Sequence, residues 1–238
     1  MVSGRVTGFQ QQVLLLVARY RVMTAEALKQ LVYPESPLGT ARKLLGRFAE
    51  QGLLGEPYRL AGRSFYQLSL KGTALVGAPA TAAKKLGAQA LRDRYGMLAF
   101  AAFVDHGPLV RPQPLTAPEF ATRYPKLMTQ TGIDPSSQLY YVDLATGAPC
   151  LARAVVDHEA QAERLVRKCQ EIFRDWEANT ELKAYLPHRF MVTVLTSNPE
   201  KRQELTRRLR LLGEEFPYQV RVETIERLGD IPVEKRVS

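Results

Sequence analysis

Between Phe9 and Val76 the chain carries three short apolar stripes at helical spacing, then one segment that alternates, with a cap or breaker at every junction. Thr7 is placed to cap a helix over about Phe9–Arg21 that buries Phe9, Val13, Leu16, Val17 and Tyr20. Thr24 caps a second, shorter helix, with Glu26 near its positive N-terminal end and Ala27, Leu28 and Leu31 as its buried stripe. Ser36-Pro37 predicts the start of a third helix, because Ser caps and Pro suits the first helical position. Ala41, Leu44, Leu45 and Phe48 then fall on one face, and Gly52 closes the helix. Beyond it, Tyr58 and Leu60 precede a turn at Ala61-Gly62-Arg63, and Phe65, Tyr66 and Leu68 follow. Ser69 begins a last short helical turn containing Lys71, Gly72, Leu75 and Val76.

Three helices followed by a basic hairpin predict a winged helix-turn-helix over residues 1–78. In such a fold the third helix enters the major groove and the hairpin lies over a phosphate backbone. The charge distribution agrees. Met1–Tyr95 holds 14 Lys and Arg against 5 Asp and Glu, so it carries the whole net charge of +9, and Gly96–Ser238 holds 19 of each. A basic module beside a neutral one is the electrostatic footprint of a protein that binds nucleic acid. The candidate DNA contacts are Ser36, Thr40, Arg42, Lys43 and Arg47 on the third helix, and Arg59 and Arg63 on the wing. Lys71, Lys84 and Lys85 extend the same surface. Arg42 and Arg47 have the reach for guanine edges or for phosphates, and the sequence does not choose between them.

Gly77-Ala78-Pro79-Ala80-Thr81 reads as a boundary, followed by a linker helix within residues 79–106. Its pattern over Lys84–Val104 suits a core helix, a dimer stripe, or, through Lys84, Lys85, Arg92 and Arg94, more DNA-facing surface. Residues 107–238 read as a mixed α/β domain. Strands are expected at Leu139–Leu144, Cys150–Asp157, Arg189–Thr196 and Tyr218–Ile225, with a turn at Ala145–Pro149. Helices are expected over Glu159–Trp176 and Pro199–Leu212, the second capped by Ser197 or Asn198. The fold class is therefore α+β, with a small sheet in the second half whose later strands can run parallel. No apolar run suits a membrane span or a signal-peptide core, so a cytoplasmic chain without a membrane partner is expected. Cys150 and Cys169 make no metal-ligand spacing and read as reduced core thiols.

Asp143 ends the first of these strands and Asp157-His158-Glu159 ends the second. Two acids on neighbouring strands with a long helix behind resemble a degenerate restriction-endonuclease-like core, in which carboxylates hold Mg²⁺ and a lysine faces the attacked phosphate. Two residues beyond Asp157 stands Glu159 where such sites place lysine, and Lys168 on the helix is the nearest candidate. Asp143, Asp157 and Lys168 are thus incomplete catalytic candidates, and the sequence does not argue for an enzyme. His106, His158 and His188 share no ligand spacing, no Gly-rich phosphate loop is present, and no metal or cofactor is implied.

The residues Leu14-Leu15-Leu16-Val17-Ala18-Arg19-Tyr20-Arg21-Val22-Met23-Thr24-Ala25-Glu26, then Ala41-Arg42-Lys43-Leu44-Leu45 and Phe65-Tyr66-Gln67-Leu68-Ser69-Leu70-Lys71-Gly72, carry a resemblance. Over Val13–Gly77 the chain is similar to the N-terminal winged helix of the replication-relaxation family of plasmids and integrative conjugative elements. The second half has a similar element order, although Val155 and Val156 before Asp157 depart from the acidic pattern of that family's nuclease-like domains. The resemblance implies a double-stranded-DNA-binding accessory protein of a mobile element, acting at an origin of transfer or replication. Its implied partners are a relaxase or other relaxosome or replication proteins, and a second copy of itself as a homodimer. A winged-helix transcription regulator with a dimerising or sensing domain, and a metal-dependent DNA nuclease, are the alternatives.

Overall fold

The computed structural model describes residues 7–106, 111–131, 135, 138–144, 149–178, 190–215 and 219–231. The expected turn at 145–148 and His188 lie outside the described residues. The fold is mixed α+β with two separate sheets, and the chain divides into two units, residues 1–103 with 230–238, and residues 104–229.

In the first unit, helix α1 (Gly8–Tyr20) opens on a reciprocal cap. The Thr7 hydroxyl accepts from the Gln10 amide, and the Gln10 side chain accepts from the Thr7 amide. Its buried stripe is Val13, Leu14, Val17 and Tyr20, whereas Phe9 is 40% exposed and Leu16 only half-buried. The run Leu14-Leu15-Leu16 is apolar on every side, so its composition does not say which leucine faces the core, and Leu15 turns outward. Helix α2 (Ala25–Val32) is capped by Thr24, as its sequence indicates.

Helix α3 (Leu38–Glu50) starts later than Ser36-Pro37 suggests. Pro37 occupies the cap position without a side-chain bond, and the Ser36 amide closes a turn on the Tyr33 carbonyl. Ala41, Leu45 and Phe48 form its inner face. Strands β1 (Tyr58–Leu60) and β2 (Arg63–Phe65) make an antiparallel hairpin whose two turn residues, Ala61 and Gly62, both have positive φ. That is the backbone of a tight turn whose twist matches the paired strands. Single bridges tie the hairpin's continuation to the segments that follow α1 and α3, Met23 with Tyr66 and Leu54 with Leu68.

Helix α4 (Leu70–Val76) is capped by Ser69 and ends at Gly77 in the left-handed conformation. Gly72 is required there, since a Cβ on it would lie 2.0 Å from the Leu53 carbonyl oxygen. A 3-10 turn (Ala80–Ala83) leads to helix α5 (Ala88–Phe103), which packs on α1 and α2. The expected linker helix thus begins four residues later than its periodicity suggested and belongs to the first unit. It is buried on nearly every side, including Arg92, which is fully buried and donates to the Ile231 carbonyl.

The second unit is built on a five-stranded sheet in sequential order. The strands are β3 (Gln113–Pro114), β4 (Leu139–Asp143), β5 (Cys150–Val156), β6 (Phe190–Thr196) and β7 (Gln219–Thr224). The first three pair antiparallel, and β5, β6 and β7 are parallel. Helices α6 (Ala117–Arg123) and α7 (Pro125–Thr131) lie between β3 and β4 in sequence, α8 (Ala162–Ala178) crosses from β5 to β6, and α9 (Pro199–Glu215) from β6 to β7.

Helix α8 starts three residues later than its apolar pattern indicates, because Glu159 takes a left-handed φ of 60° and the Asp157 carboxylate accepts from the Ala160 amide. Leu165, Cys169, Ile172, Phe173 and Trp176 of α8 pack over Leu151 and Val155 of β5 and Phe190, Val192 and Val194 of β6. Strand β6 is buried at every position, as its largely apolar sequence suggests, with Thr193 and Thr196 as buried hydroxyls. No helix among the described residues is long and apolar enough to cross a membrane.

Candidate nucleic-acid interface

The outward face of α3 follows from its inward one. With Ala41, Leu45 and Phe48 buried, helical periodicity turns Gly39, Lys43 and Gly46 directly outward, with Thr40, Arg42 and Arg47 beside them. Thr40, Arg42, Lys43 and Arg47 are all exposed. Arg42 is 65% exposed and stands 3.7 Å from Glu26 of α2, a contact that steadies the guanidinium without enclosing it. Lys43 and Arg47 make no ion pair with a described residue. Neither Gly39 nor Gly46 has an atom within 4 Å of the place a Cβ would take. Glu50 closes the line at the C-terminal end, so the cationic part is the N-terminal three turns.

The remaining sequence candidates divide. Arg59 is exposed on β1, opposite Ser64. Lys84 is exposed, Lys85 lies over the Tyr58 ring at 4.8 Å, and the Lys71 ammonium donates to the Gln51 carbonyl at 2.8 Å. Ser36 is half-buried in its turn. Arg63 is not a free wing cation: its guanidinium lies 2.6 Å from Asp230 and donates to the Tyr95 hydroxyl at 3.3 Å.

Arg92 is enclosed and does not extend a DNA-facing surface, and Arg94 is half-buried, with its pKa lowered by burial. Arg21 is likewise drawn in, donating to the Thr81 carbonyl at 2.6 Å, with its pKa lowered by burial. Part of the first unit's positive charge therefore serves its own carbonyls and carboxylates.

The acidic candidates are not brought together. Asp143 pairs in register with Cys150 at the start of β5, whereas Asp157 follows the end of the same strand. Seven residues of extended chain separate those levels, roughly 23 Å at about 3.3 Å per residue. One ion, with metal–oxygen bonds of about 2 Å, cannot use both carboxylates. Lys168 is exposed on α8 and takes no part in either carboxylate's ion pairs.

Asp157 is a structural acid. One oxygen accepts from Lys201 at 2.7 Å and Thr196 at 2.9 Å, the other from the Ala160 amide at 3.0 Å. It thereby joins the ends of β5 and β6 to the segment that leads into α8 and to the first turn of α9. Lys201 and Thr196 carried no signal in the sequence, because each lies some forty residues from the acid it serves.

Asp143 faces Arg221 at 3.5 Å, and the same guanidinium bonds Glu223 at 2.5 Å. Burial works to lower the Arg221 pKa, and the bond to Glu223 with the charges of Glu223 and Asp143 outweighs it, leaving the group above its ordinary value. Beside them Tyr141 and Thr193 share a hydrogen bond, and burial raises the Tyr141 phenol well above its usual range. Among the described residues no group of three or more His, Cys, Asp or Glu side chains is arranged to hold a metal. Cys150 and Cys169 are free thiols, pushed up by burial to about 11 and about 12, with the Asp143 carboxylate adding to the first.

No family model, curated protein or solved structure matches this chain.

Proposed function

We propose that the first unit is a winged helix-turn-helix that binds duplex DNA, with α3 as its recognition helix and the β1–β2 hairpin as its wing. The observation that carries this reading is the outward face of α3, where Thr40, Arg42, Lys43 and Arg47 surround Gly46. A glycine inside a helix costs about 1 kcal/mol relative to alanine. No neighbour within the fold accounts for the one at 46, and a missing side chain in a cationic face lets another molecule's backbone approach closely.

Lys43 and Arg47 are free to neutralise phosphates, Arg42 is pre-oriented by Glu26, and Arg59 supplies the wing cation. The resemblance of Val13–Gly77 to the replication-relaxation family supports a bound site on a plasmid or integrative conjugative element. The chain then acts as an accessory factor at an origin of transfer or replication, with a relaxase or replication protein as its partner. A second reading as a metal-dependent nuclease loses its basis with the separation of Asp143 and Asp157.

The test uses the full chain and duplexes enriched from a random library by repeated binding. Enrichment of one sequence, lost when Arg42, Lys43 and Arg47 are together replaced by Ala, is the expected result. Equal enrichment by that triple variant overturns the assignment of α3.

A further inference from the structure

We propose that the outward face of α9 is a second anion-binding surface, fitted to the phosphate backbone of duplex DNA. The second unit has no net charge in its sequence, yet α9 carries four arginines, three of them along its outward side between residues 202 and 210. Leu205 and Leu209 are buried. Arg208 is used internally, bonded to Glu163 and Glu204 at 2.7 Å each, and Lys201 is held by Asp157.

On the opposite side an open groove of about 780 Å³ runs along Arg202, Gln203, Thr206, Arg207, Arg210 and Leu211. Among the described lining residues three are arginines and none is a carboxylate, and the Thr206 hydroxyl donates to the Arg202 carbonyl at 2.8 Å. Arg207 and Arg210 are exposed, one turn apart, and make no ion pair with a described residue. Arg202 is fixed by its bond to the Val222 carbonyl at 3.1 Å, with Glu223 at 3.9 Å, while its side chain stays 50% exposed. Glu200 stands in the first turn, where a carboxylate complements the helix dipole.

The guanidinium-bearing stretch from 202 to 210 rises about 12 Å. That covers roughly three base-pair steps of a duplex at about 3.4 Å each. An arginine-rich face without a carboxylate suits phosphate oxygens, which accept hydrogen bonds and offer none. Assigned to phosphate oxygens, these guanidinium groups add affinity without sequence preference.

The choice of polymer rests on the DNA-binding reading of α3, and the experiment separates the two. Affinity of the full chain for a random-sequence duplex is measured across a salt series for the wild type, R207A/R210A, R207K/R210K and the α3 triple alanine variant. Loss of two phosphate contacts lowers the slope of log K against log salt by about 1.8. We expect that drop, with a several-fold loss of affinity, in R207A/R210A and its recovery in R207K/R210K. Selectivity for the enriched sequence should remain intact in R207A/R210A.

An unchanged slope and affinity in R207A/R210A overturns the proposal. So does binding of poly-L-glutamate at this face, lost in R207A/R210A, that is tighter than binding of DNA, since that marks an acidic protein as the partner. If the α3 variant keeps full selectivity while R207A/R210A loses its slope, the α3 reading fails and this one stands.

Discussion

Arg63 of the β1–β2 hairpin and Asp230 lie 2.6 Å apart, and the same guanidinium donates to the Tyr95 hydroxyl of α5. The residue that looks like a second wing cation in the sequence is thus a brace within the first unit. Arg59, on the neighbouring strand, stays exposed. The two arginines should separate on measurement. Arg63→Ala should lower unfolding free energy by about 1 kcal/mol, the upper range for a partly exposed ion pair, and leave the salt dependence of DNA binding as it was. Arg59→Ala should leave stability within about 0.5 kcal/mol and lower the salt slope by about 0.9. Urea denaturation and binding titrations read both, and the reverse pattern would return Arg63 to the interface.

Gly46→Ala offers a test in which stability and binding move in opposite directions. Open space around the position means the added methyl meets nothing within the fold, so the helix should gain up to about 1 kcal/mol. The same methyl should weaken binding of the enriched duplex by hindering its close approach to α3. A variant that is more stable and binds equally well would remove Gly46 from the interface.

Asp157 should behave as a structural acid. Replacing it by Ala strands the Lys201 ammonium, which is only 19% exposed, and should cost about 3–5 kcal/mol, the range for breaking a buried pair from one side. Asp143→Ala should act independently, because the two carboxylates sit at opposite ends of β5. Thermal unfolding with Mg²⁺ and with a chelator should coincide for the wild type. A rise in melting temperature with Mg²⁺ that Asp157→Ala abolishes would contradict this account.

The two thiols give a pH dependence. Both are raised in the folded chain from near 9 to about 11 and about 12. Between the unfolded and folded values the native state holds protons that the unfolded state has released. Stability is therefore full below about pH 9 and falls as pH rises toward 11 and beyond. Denaturation midpoints at pH 8, 9 and 10 should decline in that order. A thiol reagent at pH 8 should label neither cysteine in the native protein and both in guanidinium. Rapid native labelling would show that these side chains are open to solvent.

The elements were legible where their signals are local. Thr7, Thr24, Ser69 and Asn198 cap the helices that their positions announce, since a cap bonds an amide two or three residues away. The alternation on either side of Ala61-Gly62 gave the hairpin, and the largely apolar run Phe190–Leu195 gave a fully buried strand. Ser36 misled, because a turn onto the Tyr33 carbonyl leaves it one residue ahead of the cap position, which Pro37 takes. The cationic face of α3 was readable as the complement of an apolar stripe that the structure largely keeps.

What the sequence determined by itself was therefore the order of the elements and the amphipathic faces of α2, α3 and α8. Both follow from propensity, capping and periodicity within a few residues. Only the tertiary structure decided which charges meet water. Arg63, Arg92 and Arg94 resemble Arg47 and Arg59 in sequence, yet the first three are spent on internal partners or burial. It also decided that Asp143 and Asp157 never share an ion, because antiparallel pairing of β4 with β5 sets the end of one strand beside the start of the next. Desolvation of a charge and the meeting of two side chains depend on residues tens of positions apart, and that information exists only once the chain has folded.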